Sequence, residues 1–220
     1  SVYRLTVTED MAVTLDGAAA SAADLRDGMP VEIAFDGTIE DSFPGQLGRV
    51  WSINAYSIGS PQSPGGGYYD LCGLYLQVLE DLWEVDPGLN GGAEVIGLDL
   101  SQAPGDLTDS EKAAIAWRFG ELHGAETVTG TSDELVEQGY ITGEPLEGTD
   151  AQFWHWENGV LFSITPSDGH EGEAYSLPVL FFNAEKWRSS LGAYFFFDCS
   201  CLWPEGGTWS GYQVGSEVIS

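Results

Sequence analysis

Basic residues are scarce in this chain of 220 residues: seven Lys and Arg stand against 35 Asp and Glu, a formal net charge of -28. Nucleic acids and anionic lipid surfaces bind proteins by exchanging counterions for Lys and Arg, so neither is expected as a partner. The only lysines are Lys112 and Lys186. No apolar run approaches the ~20 residues that a membrane-spanning helix needs, so no membrane-spanning segment is expected. Recognisable catalytic signatures are also missing. There is no G-x-S-x-G elbow, no G-x-G-x-x-G and no phosphate-binding loop. The histidines, His123, His155 and His170, have no zinc-protease spacing. Nothing here calls for a cofactor.

What is present is a foldable chain. Its hydrophobic content of 43% is enough to fill cores, and 12% aromatic residues with dispersed acids argue against disorder. The acid excess reads as a solubility device, with a halophilic cytoplasm as the alternative. The first residue is Ser1 and "SVYRLTVTED" has no signal-peptide character, which fits a removed leader or a shortened chain.

Residues 1–58 read as short strands. "YRLTVT" and "MAVTL" alternate, Asp16-Gly17 and Asp36-Gly37 are turn signals, and Pro44 suits an edge or bend. Several short strands in so little chain predict a small closed barrel. The stretch "DLRDGMPVEIAFDGTIEDSFPGQ", Asp24 to Gln46, resembles the small OB-like barrels of uncharacterised secreted proteins and lipoproteins of Gram-positive bacteria. The Pro, Gly and Ser of residues 59–67 mark a linker between this barrel and a second domain, 68–220.

In the second domain Leu71, Leu74, Tyr75, Val78, Leu79 and Leu82 fall on one helical face, and Cys72 and Leu76 lie off it. "EVIGLDL" reads as a strand. Thr108 with Glu111, and Thr131 with Glu134, form capping boxes that open two further helices. From Gln152 onward the pattern is antiparallel strand, beginning with a hairpin expected at Asn158-Gly159. The prediction is therefore an α+β domain whose helices pack on an antiparallel sheet. The string "KWRSSLGAY" and its surroundings are similar to the C-terminal part of uncharacterised secreted proteins of gut Firmicutes. That resemblance implies an extracytoplasmic, secreted or surface-anchored protein and brings no assigned chemistry.

Several residue groups carry candidate chemistry. Cys199 and Cys201 share one strand face with Phe195, Phe197 and Trp203, and are expected to be buried thiols. A disulfide to Cys72 and a zinc site are the alternatives; two Cα atoms ~6.6 Å apart on one strand are at the limit for a direct bond. The loop "SDGHEGE" (167–173) offers oxygen ligands without a calcium-loop pattern. Acids at Asp70, Glu80, Asp81 and Glu84 are too numerous to single out a glycosidase pair. Aromatic residues crowd the last third. A binding surface is expected at Trp154, Trp156 and Trp209, with His155 and Tyr212 as polar companions, and a runner-up patch near Trp51, Tyr68 and Tyr69. The functional expectation is a non-enzymatic module that binds a glycan, peptide or protein partner. The alternative is a hydrolase whose carboxylates or Ser and His meet only in the fold.

Overall fold

The computed structural model describes residues 2–26, 29–57, 71–105, 107–170, 179–202 and 209–220. The proposed linker 59–67, Tyr68, Tyr69, Trp203 and the end of the 167–173 loop lie outside them.

Among its described residues the N-terminal part folds as seven short strands: β1 (Tyr3–Arg4), β2 (Ala12–Leu15), β3 (Ala18–Ala20), β4 (Val31–Phe35), β5 (Ile39–Glu40), β6 (Gly45–Leu47) and β7 (Val50–Ala55). Asp16 and Gly17 both take positive φ, 49° and 79°, and turn β2 back onto β3. The Asp36 carboxylate accepts from the Thr38 and Arg49 amides and so fastens the next turn. Those bonds also hold its pKa below the usual carboxylate value. The strands divide into a four-stranded sheet, β3-β2-β7-β4, and a three-stranded sheet, β1-β6-β5. Among the described residues neither sheet closes into the barrel that the spacing predicts. Their core is small: Met11, Val13, Leu47, Val50 and Ile53.

Among its described residues the C-terminal part is a nine-stranded mixed sheet with three helices. In chain order these are α1 (Leu71–Glu84), β8 (Val95–Asp99), α2 (Asp109–His123), β9 (Glu126–Thr129), α3 (Ser132–Glu137), β10 (Thr142–Pro145), β11 (Gln152–His155), β12 (Gly159–Pro166), β13 (Val179–Ser189), β14 (Gly192–Leu202), β15 (Ser210–Gln213) and β16 (Ser216–Ile219). Both capping boxes form: the Thr108 and Thr131 hydroxyls accept from the Glu111 and Glu134 amides. The sheet is not wholly antiparallel, which corrects the sequence expectation. β8 runs parallel to both β9 and β12, with α2 as the crossover between β8 and β9. Strand β8 is apolar and buried through Val95–Leu98, as a central parallel strand must be.

The hairpin expected at Asn158-Gly159 does not form either. β11 and β12 lie end to end along the same edge of β13, with Leu161 opposite Trp187 and His155 opposite Ser189. The chain bulges outward between them, and the Asn158 carbonyl there accepts from the Glu94 and Val95 amides at the start of β8. Hairpins form instead between β10 and β11 and between β13 and β14.

Alternation along the strands divides two cores. Ile96, Leu98, Phe162, Phe182, Phe196, Cys199 and Cys201 face α1 and α2. Val95, Leu135, Ile141, Trp156 and Leu161 form a smaller cluster under α3 on the other face. Two basic side chains from β13 secure the turn between α1 and β8. Fully buried Lys186 donates through Nζ to the carbonyls of Trp83, Val85 and Asp86, capping the C-terminus of α1. Arg188 donates to the carbonyls of Leu89, Gly91 and Glu157.

Candidate functional site

The candidate site spreads outward from strand β13. Along this strand Phe182, Ala184 and Lys186 are buried, while Phe181, Asn183, Glu185 and Trp187 alternate onto the face away from α1 and α2. Glu185 lies opposite Phe195 on β14 and Ser163 on β12, and Ser163 lies opposite Asp99 on β8. Partial burial raises the Glu185 carboxyl above its usual pKa, and the neighbouring Ser163 hydroxyl offsets this in part.

Phe195 and Phe197 carry the face further. The alternation predicts them in the core beside the cysteines; the structure corrects this. A register shift in β14 accompanies Asp198, whose φ is 52°, so Phe196 joins Cys199 and Cys201 inside. Phe195 and Phe197 instead stack on each other, ring centroids 5.5 Å apart and planes 6° apart, with Phe197 36% exposed. Cys199 and Cys201 are buried thiols outside any disulfide. Burial raises Cys199 to about 12 and Cys201 to about 11. Among the described residues no three His, Cys, Asp or Glu side chains converge on a metal-sized site.

At the other end of the face Trp154 and Trp187 line a cleft of about 320 Å³ with Ser132, Asp133, Val136, Ile141 and Ser190. Trp154 is 36% exposed. It lies over Gly143, where an added Cβ would come within 2.9 Å of the ring, and its amide donates to the Ser190 Oγ at 2.9 Å. Of the five residues chosen from the sequence, Trp154 alone lines this cleft. Trp156, expected at the surface, is 1% exposed and wedged against Gly97 and Gly159. His155 stacks on Phe153 and approaches the Thr142 hydroxyl at 3.4 Å. Trp209 and Tyr212 pack at the edge of the large core, Tyr212 stacked on Phe182. The structure thus does not gather the five. Trp187 joins Trp154 there although the sequence does not single it out; only its alternation with Lys186 in "NAEKWRS" signals that it shares the Glu185 face.

Other constellations are weaker. The Ser167 hydroxyl donates to the Asp198 carboxylate at 2.6 Å, and His170 Nε2 is 3.5 Å from the same oxygen. The serine bonds the acid rather than the imidazole, which is not a nucleophile–base relay. A crevice of about 350 Å³ opens beyond the carboxyl ends of β8 and β9, where Asp99, Asp109, Lys112 and Glu134 meet. Two of its acids are engaged locally, Asp99 with Ser101 and Glu134 in its capping box. Of the runner-up patch only Trp51 is described; it is 53% exposed and lies outside the seam cleft between Val2–Tyr3 and α1–α2.

Comparison with known proteins finds no matching family model, no matching curated protein and no matching solved structure.

Proposed function

We propose that this protein is a non-enzymatic, extracytoplasmic module of the bacterial secreted or cell-surface kind, binding a glycan, peptide or protein partner through the outer face of its large sheet. One observation carries the reading. Trp154, Trp187, Phe195 and Phe197 line a single face that no described helix covers beyond α3. Rigid aromatic area with polar companions is the usual material of contact hot spots. The charge of -28 restricts the partner to neutral or basic chemistry. The extracytoplasmic placement rests on the resemblance around "KWRSSLGAY", and an OB-like reading of the two N-terminal sheets rests on Asp24 to Gln46.

The test titrates neutral cell-wall glycans and basic peptides against tryptophan fluorescence. Trp154→Ala and Phe197→Ala should each weaken binding ~10-fold or more, the scale of a contact hot spot, and Trp51→Ala should not. Equal effects at all three positions would sink the reading. The hydrolase alternative has one observation of its own: Glu185 with its raised pKa, in a row with Ser163 and Asp99 on an open face. Turnover of any of these glycans or peptides, abolished by Glu185→Gln, would favour it.

A further inference from the structure

The cleft between Trp154 and Trp187 is amphipathic in a specific way. Its walls are two indoles with Val136 and Ile141; its polar groups are the Asp133 carboxylate and the Ser132 and Ser190 hydroxyls. Among the described residues no basic side chain lines it. Arg188, next to Trp187 in sequence, holds its guanidinium on the carbonyls of Leu89, Gly91 and Glu157. Lys186 is buried on the other face. Among the described residues no cation pairs with Asp133.

An occupant must therefore bring an apolar stem and a positive, hydrogen-bonding end. A lysine side chain has both: four methylenes that lie against aromatic and aliphatic walls, and an ammonium with three donors. We propose that this cleft receives the lysine side chain of a basic protein or peptide partner. Asp133 supplies the countercharge, the Ser132 and Ser190 oxygens accept its remaining donors, and Trp154 and Trp187 add cation–π attraction. The excess of 28 negative charges draws such a partner in from a distance. The inference rests on the reading of the outer face as a binding surface and names its ligand class.

The experiment measures binding of N-acetyl-lysine methylamide to the whole chain at 0.15 M NaCl by calorimetry and tryptophan fluorescence. N-acetyl-norleucine methylamide serves as the uncharged comparison and choline as a cation without N–H donors. The lysine probe should saturate and bind at least 10-fold tighter than either comparison. Asp133→Asn and Trp154→Leu should each weaken it at least 5-fold. Asp150→Asn, which removes the same charge from an exposed position elsewhere, should leave it unchanged. Asp133 is exposed in the first turn of α3, so its replacement leaves the fold intact even if Trp154→Leu does not. Equal losses from Asp133→Asn and Asp150→Asn would reduce the effect to overall charge and overturn the proposal, as would preference for choline. If a neutral glycan instead binds and depends on Trp154, the lysine inference fails while the binding surface stands; if no ligand depends on Trp154, both fail.

Discussion

Lys186, Cys199 and Cys201 reach into the same layer between sheet and helices, and they answer to alkali in opposite senses. Burial lowers Lys186 to about 8. Between that value and its ordinary 10.5 the unfolded chain binds more protons, so its contribution to stability rises with pH across that window. Cys199 and Cys201 are raised from about 9 to about 12 and 11. Their contribution is whole below pH 9 and is lost as pH climbs from 9 through those values. Tyr75 and Tyr212 are also raised by burial and add to the loss. Four groups outweigh one, so stability should fall above pH 9. Replacing both cysteines with Ala should cost about 1–2 kcal/mol each at pH 7 through lost burial and small cavities. It should also flatten the alkaline limb. Thermal unfolding from pH 7 to 11 under reducing conditions checks both, and an unchanged limb would show that the thiols are not what titrates. That the cysteines are core was legible from their apolar neighbours. That Phe195 and Phe197 are not was illegible, because a bulge at Asp198 breaks the alternation without marking it in the residue types.

At the level of elements, the sequence is legible where its signals are local. The capping boxes at Thr108 and Thr131 involve partners three residues apart, and the apolar face of α1 repeats within its own turns. Strand order is another matter. Asn158-Gly159 carries a strong hairpin signal, yet β13, some 20 residues later, serves as the partner of both β11 and β12. The dipeptide makes a bulge that admits Trp156 and receives the start of β8. Nothing within that dipeptide distinguishes the two outcomes. The wedge is testable at Gly97, where an added Cβ would stand 2.7 Å from the Trp156 ring. Gly97→Ala should destabilise by about 1–3 kcal/mol through overpacking. Trp156→Leu in the same chain should restore part of that loss, so that the pair costs less than the sum of the singles. Strict additivity in chemical denaturation would show that Gly97 and Trp156 are not coupled.

Over the whole molecule, charge was the most legible property, and its consequence follows from how the few bases are used. Arg4 pairs with Glu121 and Arg49 with Asp10, both at the surface. Arg26, Lys186 and Arg188 donate to backbone carbonyls instead. With seven bases against 35 acids, most of the carboxylate charge is left without a neutralising cation. Exposed ion pairs are worth about 0–1 kcal/mol each, so screening them costs little, while screening the mutual repulsion of the acids gains more. Thermal midpoint should rise by several degrees between 10 and 150 mM NaCl, since each kcal/mol moves a chain of this size by about 2–4 °C. The rise should then level off, because the screening length falls from ~30 Å to ~8 Å over that range and little repulsion is left to relieve. A midpoint that falls with salt would mean that the ion pairs dominate. A midpoint that keeps climbing into molar salt would favour the halophilic reading of the acid excess over the solubility one, and with it a cytoplasmic rather than an external home.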